Sequence, residues 1–262
     1  KMDFSLKNKT AIVCGASQGI GKSTAIKFAK LGASLILISR NELNLKKVLK
    51  NLKTEDHQKH DYLVCDFQNT DELKKKVKLL TSKYSIDILI NNSGGPKSGP
   101  IHSAQPKEFI NAFNQHLICN HILVQSVLDN MINKKFGRII NIISTSVKEP
   151  IDNLGVSNTI RSAVANWAKT LSKEIGKYNI TVNNILPGAT NTDRLSSIIK
   201  NRSYMTGNSF ENEKKNIIDK IPMNRIGHPE EISDGIAFLA STSASYINGI
   251  NLVIDGGRMS SF

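Results

Sequence analysis

The sequence has little cysteine and no long hydrophobic run, and each shortage excludes a class of protein. Its 262 residues include three cysteines, none in a Cys-x-x-Cys pair, which argues against a disulfide framework and a structural zinc site. His57 and His60 have the spacing of a metal pair, but flanking lysines oppose a cation, so we predict no metal site. No run of 18 apolar residues occurs, so we expect no contact with a membrane. The first residues lack the apolar core of a signal peptide, which predicts a cytoplasmic protein.

Aromatic residues are also few, and this bears on the meaning of the charge. Lysine and arginine number 35 against 22 acidic residues, a formal net charge of +13. An excess of this size can indicate a nucleic-acid partner. The lysines are dispersed along helical segments, however, and aromatic residues make up only 6% of the chain, with Trp167 the single tryptophan. A platform for stacking bases is therefore not predicted, and we expect no nucleic-acid partner.

Strand-like apolar runs alternate with helix-period segments along almost the whole chain. The predicted strands are Thr10–Cys14, Ser34–Ser39, Tyr62–Cys65, Asp87–Asn91, Arg138–Ile143, Thr181–Ile185 and Asn251–Ile254, and the predicted helices begin at Ile20, Glu42, Thr70, Lys107, Ser157 and Pro229. This alternation predicts an α/β fold with one doubly wound, Rossmann-type parallel sheet and helices on both faces, in a single domain over 1–262. The polar stretch at about 190–220 shows no clear element and follows a strand end. It is interpreted as a substrate lid, with a disordered insertion as the alternative.

The first predicted strand runs into a glycine-rich turn that opens a helix. The turn residues predicted to bind a dinucleotide are Gly15, Ser17, Gln18, Gly19, Ile20 and Gly21. Glycines at these positions permit a tight turn and a close approach of the backbone to a pyrophosphate, whose charge is favoured at a helix N-terminus. The position of the turn between a strand and a helix makes the prediction more specific than the glycines alone would.

The end of the second predicted strand indicates which dinucleotide is bound. A carboxylate there would accept the ribose 2′-hydroxyl of NAD and repel a 2′-phosphate, but the sequence has Ser39 and Arg40. A hydroxyl and a guanidinium at this place favour NADP, with NAD the less favoured cofactor. The alternative is that Arg40 faces solvent and pairs with Glu42.

Further motifs follow in order. Asn91-Asn92-Ser93-Gly94 ends the fourth predicted strand, Pro187-Gly188 follows the sixth, and Asp255-Gly256-Gly257 follows the last. Together with the glycine turn they resemble the short-chain dehydrogenase/reductase family, specifically its NADP-dependent β-ketoacyl-acyl-carrier-protein-reductase-like branch, over essentially the whole chain. The resemblance implies these further cofactor-binding residues: Asp66, Phe67, Asn92, Ser93, Gly94, Arg161, Pro187, Gly188 and Thr190. It also implies a homodimer or homotetramer assembled through the helices predicted at Lys107–Met131 and Ser157–Ile175.

The sequence departs from the family where the family carries its catalytic Asn, Ser, Tyr and Lys. Ser144 occupies the Ser position, Ser157 stands at the Tyr position and Arg161 at the Lys position, while His116 stands at the Asn position. No tyrosine occurs between Tyr84 and Tyr178, so a shifted alignment does not restore the phenol. A serine hydroxyl is a far weaker acid than a phenol, and a guanidinium keeps its proton. We nevertheless take Ser144, Ser157, Arg161 and His116 as the candidate catalytic residues.

These observations predict an NADP(H)-dependent oxidoreductase that reduces a carbonyl or enone, 3-oxoacyl-like substrate by a non-standard proton donor. Water, His116 and Tyr204 are the candidate donors. The alternatives are a catalytically inactive NADP-binding regulatory or scaffold protein, and a fold that binds a polyanion. The basic residues of the lid, Arg194, Lys200, Arg202, Lys214 and Lys215, favour a small acidic substrate or an acyl thioester.

Overall fold

The computed structural model of the protein describes residues 3–55 and 57–261. Within them, seven parallel strands form one sheet in the order β3-β2-β1-β4-β5-β6-β7. The strands are β1 Thr10–Cys14, β2 Ser34–Ser39, β3 His60–Val64, β4 Ile88–Asn91, β5 Gly137–Ile142, β6 Ile180–Pro187 and β7 Asn251–Ile254. The order reverses between β1 and β4, which makes the sheet doubly wound. The predicted α/β fold is confirmed.

Helices cover both faces of the sheet. They are α1 Gly19–Lys30, α2 Glu42–Lys50, α3 Thr70–Thr81, α4 Pro106–Phe113, α5 Cys119–Lys134, α6 Gly155–Ile175, α7 Asp193–Thr206, α8 Phe210–Ile218 and α9 Pro229–Ala240. Helices α1, α2 and α9 contribute to the core on one face, and α3, α5 and α6 to the core on the other. Helices α4 and α5 are joined by one wider, π-helical turn at Asn114–Ile118.

The two cores follow from the alternation of side chains along each strand. Val13 and Leu37 belong to the core on the α1 face, while their neighbours Ile12 and Ile36 belong to the core on the α3 face. Successive residues of a strand point to opposite faces, so a strand covered on both sides must be apolar throughout. Each fully buried Val, Leu or Ile side chain contributes about 1.5–3 kcal/mol relative to exposure.

The segment predicted as a lid without clear elements forms helices α7 and α8. Thr192 caps α7 by accepting a hydrogen bond from the Leu195 amide, and Ser209 caps α8 by accepting one from the Asn212 amide. Between them Gly207 has φ +75°, a left-handed conformation that ends α7. Ile199 is the buried residue of α7, so the apolar stripe that reveals most helices is too weak here to be seen in the sequence.

The three cysteines, Cys14, Cys65 and Cys119, are buried free thiols. Burial raises the pKa of Cys65 to about 11 and that of Cys119 to about 12, so both are protonated at neutral pH. Among the described residues, no helix is both long and apolar enough to cross a bilayer.

Candidate active site

A cavity of about 570 Å³ lies at the carboxyl ends of the strands, where ligands bind in doubly wound sheets. Its walls come from the turns after the strands and from α6, α7 and the residues after β7. The predicted site residues that line it are Gly15, Ser17, Gln18, Gly19, Ile20, Ser39, Arg40, Asp66, Phe67, Asn92, Ser93, Gly94, Ser144, Ser157, Arg161, Pro187, Gly188 and Thr190. The fold thus brings together residues that lie up to 175 positions apart in the chain.

Three other residues singled out by sequence are not among those lining the cavity. Gly21 packs against Gly15, so its place in the motif is structural. His116 is only 4% exposed and lies in the wide turn between α4 and α5. Tyr204 is 92% exposed on α7. The structure therefore places neither ring against the cavity.

The glycine turn leaves an open helix end facing the cavity. Gly15 and Gly19 have φ +59° and +55°, a conformation that side-chain-bearing residues rarely adopt. A Cβ on Gly21 would collide with the Gly15 carbonyl and lie 2.8 Å from Asn92 Nδ2. Gln18, before α1, makes no side-chain cap, and the first turn of α1 holds no acidic residue. The amides of this turn are therefore available to a phosphate, and the residues present fit a dinucleotide.

Asn92 connects the ends of β1 and β4 beneath this turn. Its Nδ2 donates to the Cys14 carbonyl over 3.2 Å. The side chain thereby fixes the glycine turn relative to the strand that carries Ser93 and Gly94, across the point where the strand order reverses. This contact makes Asn92 a positioning residue of the cavity.

Arg40 stands at the end of β2 with an exposed side chain that lines the cavity. The pairing with Glu42 considered from the sequence does not occur. Glu42 instead forms an ion pair with Lys46 over 2.8 Å and accepts a hydrogen bond from the Tyr62 hydroxyl. No ion pair of Arg40 is found among the described residues, so its guanidinium is available to a ligand.

Arg161 is held by three hydrogen bonds at the end of β5. Its Nη1 donates to the carbonyl oxygens of Ile142 and Ile143 over 3.1 and 3.0 Å, and its Nε donates to Ser157 Oγ over 3.2 Å. A guanidinium has five N–H groups, so the two on Nη2 remain for a ligand in the cavity. Burial, with a smaller contribution from Arg194, lowers the pKa of Arg161 to about 10, and it stays charged at neutral pH. The side chain is a fixed cation in the wall of the cavity.

Ser144 and Ser157 present hydroxyls that each accept one hydrogen bond from the protein. Ser144 Oγ accepts from the Ser146 amide over 3.1 Å, and Ser157 Oγ accepts from Arg161. Within the described residues neither hydroxyl donates to the protein, so each proton is free to be donated into the cavity. Two hydroxyl donors and a guanidinium can together stabilise negative charge on a bound oxygen atom.

Comparison with known proteins decides the family. The family model described as enoyl-(acyl-carrier-protein) reductase matches residues 15–259. The chain belongs to this family, within the short-chain dehydrogenase/reductases. The resemblance inferred from the motifs is thereby confirmed.

Individual relatives of this reductase match over nearly their whole lengths. The NADPH-dependent reductase BacG of Bacillus subtilis is 32% identical over 98% of this chain and 100% of its own. The 3-oxoacyl-[acyl-carrier-protein] reductase FabG of Buchnera aphidicola from Schizaphis graminum is 34% identical over 96% and 98%. The crystal structure of YwfH, described as an NADPH-dependent reductase involved in bacilysin biosynthesis, superposes with a TM-score of 0.91 at 33% identity, covering 97% and 99%.

His116 of this short-chain dehydrogenase/reductase is linked to the cavity through Ser93. Its Nδ1 lies 2.7 Å from Ser93 Oγ, and its Nε2 is buried with no hydrogen-bond partner in the described structure. Burial first, then the charges of Arg161 and Arg194, hold the pKa of His116 well below its usual value. The ring is therefore neutral at pH 7, and it orients the Ser93 hydroxyl at the cavity wall.

Five charged residues line the cavity without having been assigned to it from the sequence as site residues: Asp152, Arg194, Arg202, Lys220 and Arg258. Arg194 and Arg202 had been noted only as basic residues of the lid. Arg194 Nη2 donates to the Pro96 carbonyl over 2.6 Å and so joins α7 to the turn after β4. Lys220 follows α8 and Arg258 follows β7. The position of Arg258 just after the last strand was a usable signal, because strand ends line the site in this fold.

Proposed function

We propose that the protein is an NADPH-dependent reductase of a carbonyl or enone substrate. The observation that carries the proposal is the fixed guanidinium of Arg161 beside the Ser144 and Ser157 hydroxyls, in the same cavity as the glycine turn. The relatives described as NADPH-dependent reductases support the reaction class.

The residues that would hold the cofactor are distributed along the cavity. The amides at the start of α1 suit the pyrophosphate, and Arg40 suits the 2′-phosphate, for which a guanidinium offers paired donors. Asp66 and Phe67 would lie at the adenine, and Ser93, Gly94, Pro187, Gly188 and Thr190 towards the nicotinamide. Bound NADPH supplies a hydride to the substrate.

The substrate oxygen gains negative charge as the hydride arrives. Ser144 and Ser157 donate hydrogen bonds to this oxygen, and Arg161 stabilises its charge through Nη2. Because the three groups are fixed by Ser146 and by the Ile142 and Ile143 carbonyls, they need little reorganisation during the reaction. Ser157 and Arg161 thus stabilise the negative charge that a Tyr and Lys pair would stabilise, but they do not supply the proton that the tyrosine would donate.

The missing acid favours an enone over an isolated ketone. The Ser144 and Ser157 hydroxyls are too weakly acidic to protonate an alkoxide, and Arg161 retains its proton. His116 is neutral and Tyr204 is exposed away from the cavity. Reduction of an enone instead gives an enolate, a weaker base that the three donors can hold while water protonates its carbon. Water is therefore the proposed proton donor.

Transfer from stereospecifically deuterated NADPH tests this proposal. We expect deuterium at the β-carbon of an enone, and a loss in kcat of about 10²–10³-fold in Ser157→Ala, the size expected for one oxyanion donor. Ser162→Ala is the matched control, because Ser162 is an exposed serine of α6 bonded to the Asn158 carbonyl. Transfer only to saturated ketones would contradict the enone assignment, and no transfer to either class would contradict the reductase.

We also propose a homodimer or homotetramer formed through α4, α5 and α6. Val124 and Val164, two of the apolar residues in these helices, are used inside the chain. Ile110 and Phe113 on α4 are 60% and 40% exposed and are free for an interface. Light scattering during size-exclusion chromatography measures the mass, and a monomer at micromolar concentration would contradict the proposal.

A further inference from the structure

Three cations line the end of the cavity opposite Arg40. Arg202 lies on α7, Lys220 follows α8, and Arg258 follows β7. The side chains of Arg202 and Arg258 are half-buried, and Lys220 is exposed. They come from three separate segments, and the fold brings all three to the wall of one cavity. We refer to Arg202, Lys220 and Arg258 as the basic cluster.

Arg258 of the basic cluster lies too far along the sheet from Arg40 to serve the same phosphate. Arg40 follows β2, whereas Arg258 follows β7, five strand positions along the sheet. At about 4.8 Å between neighbouring strands, the two sheet positions are roughly 24 Å apart. Arg161, at the end of β5, lies between them. Arg258 therefore lies in the half of the cavity away from Arg40, which we call the substrate half, and Arg202 and Lys220 line the cavity from the lid segment.

Two carboxylates near the basic cluster are hydrogen-bonded mainly to other groups, although the charges of Arg202 and Arg258 help to lower the pKa of Glu213 and of Glu149. Glu213 accepts hydrogen bonds from Thr206 and Asn208, and Glu149 accepts them from the Ser260 and Ser261 amides. No ion pair of the cluster occurs in the described part of the chain. Two carboxylates line the whole cavity, Asp66 at the adenine end and Asp152 after β5. The substrate half therefore keeps an excess of positive charge over Asp152.

We propose that the basic cluster binds a carboxylate of the substrate, so that the substrate is a small organic acid bearing the reducible carbonyl or enone. This inference rests on the proposed function and names its substrate class. Arginine offers paired donors that match a carboxylate in two hydrogen bonds, and a lysine adds a point charge. The cluster lines the same cavity as the residues assigned to the dinucleotide, so an acid bound there would lie beside the cofactor.

The position of the cluster also gives it a role in orientation. A carboxylate held by Arg202, Lys220 and Arg258 directs the other end of a short substrate towards Arg161, Ser144 and Ser157. Because Arg202 and Lys220 belong to the lid segment, binding of the acid also favours the lid position seen here. Fixing both ends of a substrate reduces the freedom lost on reaching the reactive arrangement.

Isothermal titration of the NADP⁺-saturated protein with levulinate and its methyl ester tests the proposal. Levulinate is the product expected from the small acidic enone 4-oxo-2-pentenoate, and the ester differs only in the missing charge. We expect levulinate to bind at least about tenfold more tightly than the ester, the size of one charged hydrogen bond. Arg202→Gln and Arg258→Gln should each remove most of this difference, and Arg258→Lys should restore part of it.

Controls separate this proposal from the proposed function. Lys214→Gln removes a lid charge that does not line the cavity and should leave the acid-to-ester ratio unchanged. Titration of NADP⁺ itself precedes each experiment, and failure of NADP⁺ to bind would contradict the proposed function. Normal NADP⁺ binding with equal affinity for acid and ester would overturn the carboxylate site alone.

A second arm distinguishes a carboxylate from the phosphate of a carrier-bound thioester. Pantetheine 4′-phosphate is titrated under the same conditions. Tighter binding of this phosphate than of levulinate, lost in Arg258→Gln, would assign the cluster to an acyl-carrier prosthetic group and overturn the small acid. Melting temperatures within a few degrees of the parent protein establish that the variants are folded, and the two glutamine variants provide independent tests.

Discussion

Arg40 and Arg161 present the same guanidinium to the cavity in two different settings. Arg161 is fixed by two carbonyls and a serine hydroxyl, whereas Arg40 is exposed at a strand end. A fixed cation suits a charge that develops at one atom during a reaction. A free, exposed cation suits recognition of a ligand phosphate from bulk solvent. The two residues therefore require different tests.

Arg40→Gln tests the recognition of the 2′-phosphate. We expect the Kd for NADPH to rise by about 10- to 100-fold, since hydrogen bonds to charged groups are worth about 1.5–3 kcal/mol. The Kd for NADH, which lacks this phosphate, should change little. Nicotinamide fluorescence measures both. Lys47→Gln, an exposed lysine of α2 away from the cavity, is the control, and equal losses for both cofactors would refute the assignment.

His116 gives a pH dependence of stability whose sign follows from its burial. The native pKa lies well below 6.5, so below that pH the unfolded chain binds a proton that the native protein does not. Stability should therefore fall with decreasing pH, by up to about 1.4 kcal/mol at pH 5.5 relative to His116→Asn, which cannot titrate. Urea denaturation between pH 7.5 and 5.5 measures this difference. Parallel stability curves for the two proteins would contradict it.

The strands were predictable because each is a short apolar run between turns or helix-period segments. Ser34–Ser39 and Asn251–Ile254 have the predicted bounds, and β3 differs from Tyr62–Cys65 by two residues at its start and one at its end. Helices α7 and α8 were not predicted, because they bury few apolar residues and so show no clear apolar pattern in the sequence. Capping by Thr192 and Ser209 helps to stabilise them instead. The wide turn at Asn114–Ile118 was also not predicted, since it interrupts one continuous helical pattern.

The candidate site was predictable where a local motif carries it. The glycine turn, the residues after β4 and the residues at the end of β6 are each one contiguous stretch of sequence. By contrast, the contacts of Arg161 with Ile142 and Ile143, and of Arg194 with Pro96, join residues 18 to 98 positions apart. No local pattern encodes such contacts, so the roles of these arginines depend on the packing of α6 and α7 over the strand ends.

Gly21→Ala tests whether the start of α1 must approach β1 this closely. Alanine is the better helix former by about 1 kcal/mol, so propensity alone predicts a gain. The added Cβ would lie 2.7 Å from the Gly15 carbonyl carbon and 2.8 Å from Asn92 Nδ2, and we expect a net loss of about 1–3 kcal/mol with weaker NADPH binding. Gly99→Ala, where no atom lies within 4 Å, is the control for denaturation. Unchanged stability in both would contradict the packing argument.

At the scale of the whole molecule, the charge of +13 acts through its distribution. Six cations and two carboxylates line the cavity, while other lysines are spread over exposed helix faces. Exposed charges separated by more than about 10 Å are largely screened at 0.1 M salt, whereas charges inside a concave wall are screened less. Cations that line the cavity should therefore attract an anionic cofactor more strongly than an equal number of cations spread over the surface would.

Two double variants with the same net charge separate these contributions. Arg202→Gln with Lys220→Gln removes two charges from the cavity, and Lys214→Gln with Lys215→Gln removes two from the lid surface. Stopped-flow mixing with NADPH at 20 to 300 mM NaCl should show a slower association and a shallower salt dependence in the cavity variant, because it loses the local field that steers the anion. The surface variant should follow the parent protein. Equal slowing in both would mean that net charge, rather than its placement at the cavity, governs the encounter.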